Sequence, residues 1–183
     1  MKKILLLSFV LVVVAFIASS AGAFAEAPAV GTVAPDFTLT TNEGNQASLK
    51  DFKGQWVVLY FYPRDFTSGC TLEAHNFQVD LEKYQAMHAV ILGVSVDTAE
   101  SHKSFCAKES LGFKLLADTD KKVSGAYGSL KDYGKGTILS ARNTFIIDPQ
   151  GKVAKVFFGV NPNAHSEEVL TALEILQKES ASN

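Results

Sequence analysis

In this chain of 183 residues, the run Pro63-Arg-Asp-Phe-Thr67-Ser-Gly-Cys70 is where residue types and spacing point to chemistry. Cys70, Ala74, Phe77, Leu81 and Tyr84 recur at spacings of four, three, four and three, which is one face of a helix. That reading puts the Cys70 sulfur on the core-facing stripe at the helix N-terminus. Unpaired backbone N–H groups and the positive end of the helix dipole favour a thiolate there. The chemistry implied is attack by a cysteine thiolate. Thr67 stands three residues earlier, close enough for its hydroxyl to bond the sulfur or a substrate oxygen. Pro63 fixes the exit of the preceding strand and helps shield the site.

Ionisation alone is a weak lever. A free thiol with a pKa of about 8.5 is about 3% thiolate at neutral pH, so full ionisation gains roughly thirty-fold, or ~2 kcal/mol. The more acidic thiolate is also the poorer nucleophile. Donors aimed at developing negative charge are needed as well. The chain offers two arginines, Arg64 and Arg142, against fifteen lysines, and only a guanidinium can address two acceptors through a planar fork. Arg142 opens a strand expected to pair near the central one, so it is placed to reach the cysteine pocket. Arg64, inside the active loop, reads as solvated. Taken singly, either arginine is also consistent with an ordinary surface base.

The second cysteine, Cys106, sits with Phe105 on the apolar face of a helix expected over residues 98–110. It reads either as a small core residue or as a redox partner of Cys70. His102 lies one turn before it, but two ligands on one helix are too few for a metal site.

These residues need a frame to position them. Residues 56–62 are seven consecutive apolar or aromatic positions, as in a central strand buried on both faces. Further strands are expected over residues 89–96 and 114–117, and a short helix over 121–127. Residues 27–37 read as an extended lead-in and 128–136 as a surface loop. Residues 142–148 and 152–159 flank Asp148-Pro-Gln-Gly151, a turn sequence, and should form an antiparallel hairpin. A helix over residues 166–178 closes the chain. Strands alternating with helices and ending in a hairpin imply an α/β, thioredoxin-like fold: one domain with a mixed central sheet flanked by helices.

Composition narrows the function classes. The formal net charge is −2 with no basic cluster, so nucleic-acid binding has no electrostatic footprint. Residues 1–25 differ from the rest. Lys2 and Lys3 precede a 15-residue apolar run broken only by Ser8, and Ala23-Phe24-Ala25 has the form of a cleavage site. The run is shorter than the ~20 residues that span a bilayer. A cleaved secretory signal over 1–25 is therefore expected, with a mature domain over 26–183, an exported and periplasmic location, and no stable membrane association. Removing both lysines takes the net charge to −4. Export places Cys70 and Cys106 where disulfides persist.

Residues 56–74, WVVLYFYPRDFTSGCTLEA, resemble the active-site region of peroxiredoxins, closest to the bacterioferritin comigratory protein or peroxiredoxin Q subfamily. Three further stretches are similar to the same subfamily: residues 31–37, residues 93–97 with 101–103, and residues 142–148. The resemblance implies a thiol peroxidase acting on hydrogen peroxide and organic hydroperoxides. Cys70 would be the peroxidatic cysteine, passing through a sulfenic acid. Thr67 and Arg142 would orient the peroxide and stabilise the transition state, and Pro63 would shape the pocket. It further implies a thioredoxin-like reductant and a monomer, with no metal, flavin or haem.

The chain departs from the subfamily in two places. Many members carry a resolving cysteine five residues after the peroxidatic one, where this chain has His75. Ser68 replaces a frequent proline. His75 lies about 140° round the helix from the Cys70 stripe and reads as a solvated histidine. Some members place the resolving cysteine in the following helix, which assigns that role to Cys106. The alternatives are a one-cysteine peroxidase with Cys106 in the core, or a non-catalytic secreted module with a structural disulfide. A thioredoxin-type oxidoreductase needs Cys-x-x-Cys, and the residue three after Cys70 is Glu73.

Overall fold

The apolar run at residues 56–62 becomes β3 (Trp56–Phe61), and every one of its residues is buried. Side chains alternate across a strand, so such a run must have cover on both sides. Trp56, Val58 and Tyr60 join one apolar cluster, and Val57, Leu59 and Phe61 join another on the opposite face. A computed structural model describes residues 25–182, so the expected signal segment, all but its last residue Ala25, lies outside the described residues.

The remaining strands are β1 (Thr38–Thr41), β2 (Gln46–Ser48), β4 (Ala89–Ser95), β5 (Lys114–Ala117), β6 (Leu130–Asp132), β7 (Ile138–Ser140), β8 (Asn143–Ile147) and β9 (Val153–Phe157). The helices are α1 (Ser68–Val79), α2 (Leu81–Ala86), α3 (Ala99–Glu109), α4 (Lys122–Ala126) and α5 (His165–Ala181). Seven strands form one sheet in the order β2-β1-β5-β4-β3-β8-β9. β3 runs parallel to β4 and antiparallel to β8, so the sheet is mixed, as expected. The β8–β9 hairpin forms around the expected turn, where Gly151 takes a φ of 83°. Next to β3, Gly93 of β4 pairs with Tyr60. A Cβ there would lie 2.7 Å from the Tyr60 ring and 2.6 Å from Leu115, so only glycine leaves room for the tyrosine beneath α1.

Three local expectations need correction. The stretch read as a loop over 128–136 instead contributes β6, which pairs with β7 in a separate two-stranded ribbon. Its glycines make the turns rather than a featureless loop: Gly128, Gly134 and Gly136 all have positive φ. The helix continuous through residues 70–84 divides at Asp80, whose carboxylate accepts bonds from Ser166 Oγ and Lys83 Nζ, both at 2.7 Å. Finally, β1 and β2 form a hairpin ahead of the first strand read from the sequence.

Candidate active site

β3 delivers the chain to a short loop, and the loop ends at α1. Thr67 is the N-cap in extended conformation, and the first helical bond runs from Thr71 N to the Thr67 carbonyl at 2.9 Å. The N–H groups of Ser68, Gly69 and Cys70 therefore precede the helical ladder. Cys70, the third residue of α1, is 2% exposed and packs with Ala74, Phe77 and Tyr84 in one cluster. The expected stripe is present, with the thiol at its N-terminal end. Ser68 opens the helix in place of the subfamily proline.

Arg142 reaches this thiol. Its Nη2 donates to Cys70 Sγ at 3.4 Å, while Nη1 donates to Glu73 Oε2. The guanidinium thus bridges a sulfur and a carboxylate, the geometry a planar fork allows. Gly69 lies against it: a Cβ at that position would stand 3.3 Å from Arg142 Nη2. Arg142 just precedes β8, and its carbonyl accepts Val160 N at 3.1 Å, which fixes the backbone behind the side chain.

Glu73 is a further site residue, one that the apolar spacing around Cys70 does not single out. It is 1% exposed, and its second oxygen, Oε1, has no hydrogen-bond partner among the described residues. Burial pushes its carboxyl up to about 7, against the lowering effect of the Arg142 charge and hydrogen bond. At Arg142 desolvation acts to lower the pKa, but the charges and hydrogen bonds of Glu73 and Cys70 together outweigh it, and the pKa is raised. A signal did exist. Glu73 follows Cys70 by three residues, so an acid lies beside the buried stripe.

The other sequence-derived residues are placed as follows. Pro63 is half-buried at the strand exit, and Arg64 is exposed. The Thr67 hydroxyl donates to the Arg64 carbonyl at 3.1 Å rather than to the sulfur. His75 is exposed as expected, but it bonds Glu109 of α3 at 2.8 Å instead of standing free. Cys106 lies buried in α3 within the same apolar cluster as Cys70, and both thiols are free. Burial, then the charges of Asp65 and Glu43, push the Cys106 thiol up to about 12. Tyr60 has a buried hydroxyl without a partner among the described residues, and its pKa is raised by burial and then by Glu73, Cys106, Cys70 and Asp65.

Beneath the loop lies a second unforeseen group. Asp65 is 3% exposed and accepts from Tyr62 Oη (2.7 Å), Ser101 Oγ (2.7 Å) and His102 Nδ1 (2.9 Å). Burial alone would raise its pKa, but the bonds and charge of His102, with the Ser101 and Tyr62 donors, hold it below the ordinary range.

Residues 30–156 match the AhpC/TSA family. The chain belongs to that family. Within it, the chain groups with peroxiredoxin Q and the bacterioferritin comigratory proteins. A bcp-type relative from Helicobacter pylori is 45% identical over 147 residues, covering 79% of this chain and 97% of the relative. Peroxiredoxin Bcp of Bacillus subtilis is 39% identical over 148 residues, covering 79% of this chain and 94% of that protein. The crystal structure of a Xylella fastidiosa peroxiredoxin Q mutant superposes with a TM-score of 0.77 at 33% identity, covering 81% of this chain and 96% of that one. The thioredoxin-like fold and the thiol-peroxidase class expected from the sequence both stand.

Proposed function

We propose that this peroxiredoxin reduces hydrogen peroxide and organic hydroperoxides through Cys70, with Cys106 completing the cycle. The observation that carries the reading is Arg142 Nη2 on Cys70 Sγ at 3.4 Å, at the open end of α1. The Cys70 thiolate attacks the terminal peroxide oxygen, an S–O bond forms, and the O–O bond breaks. The leaving oxygen takes a proton and departs as water or an alcohol, with Cys70 left as a sulfenic acid. Arg142 and the N–H groups at the start of α1 are positioned to stabilise charge on the oxygens as it develops. Glu73 holds the guanidinium, and Pro63 borders the pocket. Thr67 orients the peroxide once its hydroxyl turns from the Arg64 carbonyl, which an exposed side chain does readily.

Cys106 then attacks the sulfenic sulfur, an S–S bond forms, and the hydroxyl leaves as water. A thioredoxin-like dithiol reduces the bridge and is itself oxidised to a disulfide. A thiol held up near 12 is a poor nucleophile, so attack requires Cys106 to leave its buried setting. That burial also favours a second reading, a one-cysteine peroxidase in which Cys106 is a core residue. An exported location rests on the N-terminal pattern alone. Peptide mapping after one equivalent of peroxide separates the readings. A Cys70–Cys106 bridge within one chain is expected, whereas a persistent Cys70 sulfenic acid with free Cys106 would assign the one-cysteine cycle.

A further inference from the structure

The two thiols belong to different helices, and a disulfide needs Cα atoms about 4.4–6.8 Å apart. Both are buried and unbridged, so on the reading of Cys106 as the resolving thiol its attack draws it out of a buried setting and loosens α3. What holds α3 against the active loop is therefore a control point for the reaction.

Ring contacts and hydrogen bonds join them, and Lys108 Nζ of α3 lies 5.5 Å over the Phe66 ring. Phe66 of the loop meets Phe105 of α3 edge-on, with ring centroids 5.1 Å apart. Asp65, its neighbour, accepts from Ser101 and His102 of α3, while its backbone N–H donates to Asp97 Oδ2 at 2.9 Å. Asp65 precedes Cys70 by five residues, and His102 precedes Cys106 by one helical turn. A carboxylate offers only lone pairs, so Nδ1 of His102 carries the proton. That leaves His102 Nε2, which is wholly buried and has no partner among the described residues. The pair is thus strong at one ring nitrogen and unmet at the other. Opening exchanges a charge-assisted bond for hydration of both groups.

We propose that Asp65 and His102 form a latch that docks α3 on the active loop and sets how often Cys106 is released toward Cys70. The inference rests on the reading of Cys106 as the resolving thiol. Asp65 touches neither peroxide nor sulfur; it is a positioning residue. While the latch is closed, the site is assembled for attack on peroxide, and the Cys70 sulfenic acid waits. A second peroxide can then oxidise it to the sulfinic acid, with the S–OH sulfur gaining oxygen and the peroxide leaving as water. When the latch opens, the loop and α3 loosen together and the disulfide wins.

The test reads opening first without any peroxide chemistry. In a Cys70→Ser background Cys106 is the one remaining thiol, and its alkylation by iodoacetamide reports release of α3. Asp65→Asn should raise that rate about tenfold, the worth of converting a charged hydrogen bond to a neutral one. His102→Leu should do the same. His102→Asn keeps an amide donor near the Nδ1 position and should restore a rate near the parent's. With Cys70 present, Asp65→Asn should shift the products of high peroxide from sulfinic acid toward disulfide by a similar factor. Unchanged alkylation in folded Asp65→Asn and His102→Leu proteins would overturn the latch. Should Asp65→Asn not fold, the contrast between His102→Leu and His102→Asn decides. Faster alkylation without any Cys70–Cys106 bridge on oxidation would uphold the latch and refute the resolving role of Cys106.

Discussion

Glu73→Gln should make the protein more stable and less active, with the stability gain growing as pH rises. Glu73 is buried, and its pKa is raised from 4.5 to about 7 in the fold. Between those values the native state holds a proton that the unfolded chain has released. Stability from this group is therefore complete below 4.5 and is lost as pH rises through about 7. Integrating the shift gives a loss of about 1 kcal/mol at pH 5 and about 3 kcal/mol at pH 8. Glutamine keeps the shape and an acceptor for Arg142 but has nothing to ionise. Its advantage should therefore widen by about 2 kcal/mol between pH 5 and pH 8, which is about 4–8 °C in Tm for a domain of this size. Above about pH 7, where Glu73 ionises, the peroxide step should slow in the variant, since a neutral acceptor holds the guanidinium with about half the strength of a carboxylate. Differential scanning calorimetry at both pH values, with stopped-flow peroxide reduction on the same samples, measures the two effects. A variant equally destabilised at pH 5 and pH 8 would refute the reasoning, because Glu73 would then be an ordinary stabilising ion pair.

Arg142→Lys keeps the charge but loses the fork that spans Cys70 and Glu73, and the peroxide step should fall by about 10²–10³ in stopped-flow assays. Full activity in that variant would place the needed donor elsewhere. Gly93→Ala puts a methyl group 2.6 Å from Leu115 and 2.7 Å from Tyr60, and chemical denaturation should show a loss of about 1–3 kcal/mol. An unchanged midpoint would mean that the Tyr60 ring shifts freely.

The features legible in the sequence were those set by local periodicity. Six buried residues of β3 follow from a strand covered on both faces, and the Cys70 stripe follows from helical spacing. Arg142 could be singled out because a planar cation is rare in this chain and its strand had to lie near β3. Other partnerships had no local trace. Glu73 meets Arg142 across 69 residues, and Asp65 meets His102 across 37, so neither pair leaves a pattern in a window of sequence. The Thr67 hydroxyl, read from spacing as a donor to the sulfur or to a substrate oxygen, bonds the Arg64 carbonyl three residues back, a local partner that spacing from Cys70 does not reveal. β6 and β7 are three residues each, too short for strand alternation to stand out beside three glycines.

The central claim is that Cys70 is the thiol that meets peroxide. The most direct measurement is rapid-quench trapping with dimedone, which marks sulfenic acid, after one equivalent of hydrogen peroxide. In Cys106→Ser protein, tandem mass spectrometry should place the adduct on Cys70 and recover close to one adduct per chain. Cys70→Ser protein should consume no peroxide. An adduct on Cys106, or continued peroxide consumption without Cys70, would contradict it.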